Sequence, residues 1–285
     1  MNIKEATRIN LKILTEEQLS EIRNINQVIN EELGINDESV SLAKKLTSAV
    51  CKDTSNTQGY NVKIAGRLWK VIVRLLNIDK NTDIRREERD YLGVTYFDAR
   101  TITITAYRIG GKIKPDKFMD VAAHEILHAF NISSSNRDGY IRSERNKNIY
   151  IKAATEAKNG KTDLDRCIGY VIYLSNKFEA NAFENGLYSY LMSCDLMTPG
   201  DEEKAMAESM IYKRLTILKR AEKLISENPG EAEEIANNVY GKSLAWIQRL
   251  SGASLRNCRR QIGRALMKFR KDYDWTHGGK NLISV

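Results

Sequence analysis

The sequence predicts an α+β fold that is mostly helical, with one small antiparallel sheet and flanking helices. Three observations predict it. Prolines number only 3 and glycines 17 in 285 residues, while helix-favouring Lys, Glu, Leu and Ala are frequent. Apolar residues recur at three- and four-residue steps through most of the chain. One stretch breaks that rhythm: Thr101-Ile102-Thr103-Ile104-Thr105-Ala106 alternates with a period of two, as a strand with one buried face does.

A first helix is expected from Thr15 to Leu33. Thr15-Glu16-Glu17-Gln18 is a capping-box pattern, and Leu19, Ile22, Ile25, Ile29 and Leu33 form one face. A second is expected from Ser39 to Val50, and a third apolar-periodic segment from Val62 to Leu76, carrying Leu68, Val71, Ile72 and Leu75. The charged run Asp83 to Asp90 reads as a solvated helix face. Residues 1–90 therefore form a helical N-terminal region. From Gly93 to Tyr107 a hairpin is expected, turning near Asp98 to Arg100.

Gly110-Gly111 ends that hairpin, and Pro115-Asp116 starts a helix running to about Phe130. This helix carries Val121-Ala122-Ala123-His124-Glu125-Ile126-Leu127-His128-Ala129-Phe130. His124 and His128 are four residues apart, so their imidazoles share one helix face, and two neutral imidazoles so placed can bind one Zn²⁺. Glu125 points beside such an ion, where a carboxylate can take a proton from water. A catalytic zinc needs a third protein ligand and an open position. His277, the one other histidine, and a downstream glutamate are the options.

The run His124-Glu125-Ile126-Leu127-His128 is an HExxH pattern and resembles the zincin metallopeptidases. The uncharged residues around it, Val121 to Ala123 and Ala129-Phe130, resemble those families too. Downstream, Glu179-Ala180-Asn181-Ala182-Phe183 resembles the Glu-Ala-x-x-Phe segment of ImmA/IrrE-like peptidases and related phage-encoded zincins of gluzincin type. The resemblance implies a zincin-like core over 91–195, with His124, His128 and Glu179 as zinc ligands and Glu125 as catalytic base. It also implies an upstream strand, here Thr101 to Tyr107, whose free edge pairs with an extended peptide. A plain core hairpin is the alternative.

A long helix is expected from Asp163 to Met192, with Glu179 on a small, apolar stripe beside Ser175, Ala182, Phe183 and Gly186. A lone carboxylate there is costly without a metal or a cation. Glu184 lies on another side of that helix and reads as a surface or supporting residue. Tyr140, Tyr170, Tyr173 and Tyr188 are the candidates for holding an oxyanion. Asn131 to Arg166 reads as a long polar loop with a short helix near Ile149 to Ala157.

Residues 196–285 read as a helical, basic C-terminal region. Thr198 is expected to cap a helix with Pro199 at its first position. No acid occurs between Ile235 and Lys271, where Arg256, Arg259, Arg260 and Arg264 cluster. With a formal net charge of +8, this permits nucleic-acid or other polyanion contact, or a solvated face balanced by the acidic Asp201 to Glu234 stretch. The four cysteines form no CxxC pair, the N-terminus lacks an apolar signal core, and no apolar run suits a membrane span. The expected location is the cytoplasm, or a phage particle (virion) if the chain is phage-encoded. The expected activity is zinc-dependent hydrolysis of a protein or peptide substrate. The alternative is a non-catalytic zincin-like structural or nucleic-acid-associated protein.

Overall fold

The computed structural model describes residues 35–78, 91–133 and 147–275. The expected helix over 15–33, the charged run 83–90, Tyr140 and His277 lie outside them. Among the described residues the fold is α+β and mostly helical, with one four-stranded sheet.

Helix α1 (Asp37–Lys52) starts where the side chain of Asn36 accepts the Ser39 amide at 2.7 Å. Next come strands β1 (Thr57–Ile64) and β2 (Arg67–Ile78), where a helix is expected over 62–76. The helical expectation fails because period two governs burial. Trp69, Val71, Val73 and Leu75 are buried, and their neighbours Leu68, Lys70 and Arg74 are exposed. Ala65 and Gly66 both take positive φ (44° and 79°), as a two-residue hairpin turn of the I′ kind requires. Residues 1–90 are therefore not uniformly helical, and the sheet crosses the expected boundary at residue 90.

The expected hairpin is present as β3 (Leu92–Tyr96) and β4 (Thr101–Ile109), paired antiparallel. The sheet order is β1-β2-β4-β3, and β2 pairs with β4 in parallel, so the sheet is mixed rather than antiparallel. Strand β4 is internal. The expected free edge at Thr101 to Tyr107 does not exist, because β2 and β3 take both of its sides. Among the described residues the outer strand beside it is β3, whose Leu92, Val94 and Tyr96 are exposed.

Helix α2 (Pro115–Ser133) packs on the inner face of the sheet. Phe118, Ala122, Ile126 and Ala129 join Trp69, Val71, Val73, Ile102 and Ile104 in one core. Burial of each larger apolar side chain here contributes roughly 1.5–3 kcal/mol. Trp69 anchors the far end of α2 by donating its indole N–H to Ser133 Oγ at 2.9 Å.

The second core lies among α3 (Lys147–Asn159), α4 (Asp163–Leu174), α5 (Lys177–Ser193), α6 (Asp201–Met206), α7 (Met210–Glu227), α8 (Pro229–Tyr240) and α9 (Leu244–Asp272). The long helix expected over 163–192 is two helices. Asn176 caps α5 by accepting the Phe178 amide at 3.0 Å, a role that Asn favours over a helix interior. The start expected at Thr198 also shifts. The Thr198 amide and hydroxyl both donate to the Asp201 carboxylate at 3.0 Å, α6 begins after Gly200, and Ser209 caps α7. No helix among the described residues is long and apolar enough to cross a membrane.

Candidate metal centre

The two cores meet along α2 and α5, and the candidate site lies at that seam. Every residue of α2 from Phe118 to Ala129 is buried, so its histidines face protein rather than bulk water. Asn185 on α5 is completely buried and ties three helices together. Its amide donates to Ala123 O and Ser39 Oγ, each at 2.9 Å, and its oxygen accepts the Asn36 amide at 3.0 Å. This fixes α5 against α2 beside His124.

Three candidate ligands lie together. His124 Nε2 and His128 Nε2 are 3.2 Å apart. Glu179 Oε2 lies 3.5 Å from His124 Nε2, and Glu179 Oε1 lies 3.5 Å from His128 Nε2. A tetrahedral ion with bonds of about 2.0–2.1 Å needs donor atoms about 3.3 Å apart, so this N₂O set fits zinc. No other group of three or more His, Cys, Asp or Glu side chains among the described residues is placed to hold an ion. Each histidine turns Nε2 towards the centre, and both Nδ1 atoms are buried without a partner.

The ligand environment favours the ionised carboxylate. Burial opposes the charge on Glu179, but the two histidines outweigh it and hold the carboxyl well below its usual range. Burial pulls His128 down, but the Glu179 carboxylate beside it outweighs burial and raises it. Glu179 also sits in the first turn of α5, where the helix dipole favours an anion. Its expected stripe is altered by the break before α5. Instead of a small-residue stack through Ser175, the break brings the Tyr173 phenol to Glu179 Oε2 at 2.6 Å. Burial, then Glu179, push Tyr173 well above its ordinary value, so it remains a donor.

Glu125 lies beside the histidines and is held by the sheet. Thr95 Oγ1 on β3 is 2.6 Å from Glu125 Oε2. On the other side, Phe183 packs its ring 4.4 Å from that of His124. Asp120, one turn before His124, is buried; its Oδ2 accepts the Met210 amide at 3.0 Å and its Oδ1 has no partner. Burial pushes it up to about 6. Gly186 makes room for this carboxyl, since a Cβ there would lie 2.5 Å from Oδ1.

Other expected residues fall elsewhere. Glu184 is not a surface residue; it is fully buried and makes two hydrogen bonds with Arg264, at 3.0 and 2.5 Å. Arg264 is thereby removed from a polyanion-binding surface, because its guanidinium faces inward to that carboxylate. Arg256 is exposed, and Arg259 and Arg260 are half-buried. Arg270 pairs with Glu202 and Glu203, as a face balanced by the acidic stretch requires. Tyr188 donates to Asp272 at 2.8 Å and Tyr170 lies under the Arg214 guanidinium, so Tyr173 is the candidate tyrosine bonded to a ligand. Sequence reasoning missed Thr95, Asp120 and Asn185. None carries a motif, and each acts through a partner remote in sequence or on another face.

Comparison of the chain with protein-family models, curated proteins and solved structures returned no match.

Proposed function

We propose that the protein is a zinc-dependent metallopeptidase of gluzincin type. One observation carries the reading: His124, His128 and Glu179 converge at zinc-ligand spacing, with Glu125 alongside. Bound there, the ion would supply Lewis acidity, polarising the scissile carbonyl and making the attacking water more acidic. Glu125 takes the proton from that water and hands it to the leaving amine. Tyr173 keeps Glu179 oriented through its hydroxyl. Strand β3 pairs with β4 on one side, and among the described residues no strand pairs with its other side, which suits addition of an extended peptide. This replaces β4 as the strand for that role. The proposed location is the cytoplasm, or a phage particle if the chain is phage-encoded.

The test has two parts. Protein purified without added zinc is analysed for metal, with about one zinc per chain expected. Glu125→Gln should keep the metal and lose cleavage of labelled casein. Zinc-free protein, or unchanged cleavage by the variant, overturns the reading.

A second reading is a non-catalytic zincin-like chain that contacts nucleic acid through α9. Exposed Arg256, with Arg259 and Arg260 beside it, favours this. It predicts DNA or RNA binding that falls when those three are neutralised and is indifferent to Glu125→Gln.

A further inference from the structure

The carboxylate of Glu125 is shaped from outside its own helix. Along β3 the side chains alternate: Leu92, Val94 and Tyr96 are exposed, while Gly93 and Thr95 turn towards α2. Thr95 Oγ1 lies 2.6 Å from Glu125 Oε2 and 3.2 Å from Glu125 O. A hydroxyl has one proton to give, and the shorter, charge-assisted contact to the carboxylate is the stronger one. Two residues earlier on the same face, a Cβ at Gly93 would lie 2.3 Å from Glu125 Cγ, 2.5 Å from its Oε1 and 2.7 Å from its Cδ. The carboxylate fills the space that any side chain at position 93 would take. Ordinary helix-on-sheet packing calls for small residues against backbone. Here the close approach is to one side chain, from the Cγ of Glu125 to its carboxylate.

We propose that Thr95 and Gly93 are positioning residues for Glu125. The Thr95 hydroxyl engages Oε2, and the missing side chain at 93 leaves room for Cγ, Cδ and Oε1, so the strand fixes where the carboxylate lies against α2. This rests on the peptidase reading and adds a specific claim to it: the outer strand, and not the metal helix alone, sets the base. Small displacements of a reacting group cost up to about a hundredfold in rate.

The test uses the full chain loaded with zinc, with Thr95→Val, Thr95→Ser and Gly93→Ala. Thr95→Val keeps shape and removes the donor; Thr95→Ser keeps the donor. Turnover is followed with a quenched-fluorescent peptide built on the casein bond that the wild type cuts first. Thr95→Val should lower kcat about tenfold to a hundredfold, with KM within about twofold and zinc content unchanged. Thr95→Ser should recover kcat to within about threefold of wild type, and Gly93→Ala should behave like Thr95→Val. A kcat for Thr95→Val equal to wild type, or no recovery in Thr95→Ser, overturns the proposal.

A second readout does not need activity. Crystal structures of the zinc-loaded variants should show the Glu125 carboxylate displaced by about 1 Å or more in Thr95→Val and in place in Thr95→Ser. An unmoved carboxylate in Thr95→Val overturns the positioning claim even if the wild type proves inactive. Inactivity of the wild type with the displacement present would defeat the peptidase reading alone.

Discussion

The Tyr173 phenol donates a 2.6 Å hydrogen bond to Glu179 Oε2, the same oxygen that faces His124. The two residues are on different helices, joined by the break at Ser175 and Asn176. Tyr173→Phe removes this bond and keeps the ring. Zinc affinity, measured by competition with a chromophoric chelator, should fall about tenfold to a hundredfold, as expected for loss of a group that orients a ligand. An unchanged affinity would show that Tyr173 does not orient Glu179.

Metal binding should be linked to protons. In metal-free protein, His128 is raised by the Glu179 charge against the opposing effect of burial, and Glu179 is lowered by the histidines. The raised His128 contributes stability that is present in acid and is lost as pH rises through its folded value. The lowered Glu179 contributes stability that is lost as pH falls through its folded value. The pair therefore stabilises the metal-free chain most between those two limits. Zinc must displace the His128 proton, so its affinity should weaken as pH falls through that range. Calorimetry in buffers of different ionisation enthalpy should detect proton release near the pH at which His128 titrates.

Asp120 gives the opposite slope. Its carboxyl is buried and raised to about 6, so ionising it in the folded chain is unfavourable. The folded state binds its proton more tightly than the unfolded state, and stability falls as pH rises from the ordinary Asp range through about 6. Asp120→Asn still accepts the Met210 amide and carries no charge. In chelator-treated protein it should be more stable than wild type at pH 8, by at most about 3 kcal/mol, with the difference vanishing near pH 4. Urea unfolding at the two pH values checks this.

Glu184→Ala should be strongly destabilising, by about 3–5 kcal/mol, because it leaves Arg264 inside the protein without its carboxylate. The double variant Glu184→Met with Arg264→Met should recover much of that loss. Equal destabilisation in the two proteins would mean that the pair acts through packing rather than charge.

The helix that carries the HExxH pattern was legible because its spacing is local. Four residues along a helix return to the same face, so His124, His128 and the adjacent Glu125 needed no tertiary information. The β3–β4 hairpin was legible for a similar reason, since Ile102, Ile104 and Ala106 alternate cleanly with threonines. The stretch 62–76 was misread because Leu68, Val71, Ile72 and Leu75 also satisfy helical spacing. Only the buried Trp69 and Val73 show which period governs. The break at Ser175 and Asn176 was hidden because both neighbouring segments are helical.

By itself, then, the chain determined that two imidazoles and a carboxylate share one helical turn, because covalent geometry and helix pitch leave no other arrangement. Tertiary structure decided how Glu179, 51 positions after His128 and singled out in the sequence only by a resemblance, reaches both imidazoles. It also decided that Thr95 grips Glu125, and that Arg264 turns inward to Glu184. Those contacts depend on how α2, α5, α9 and the sheet pack together, and packing is set by many side chains at once rather than by spacing along any one of them.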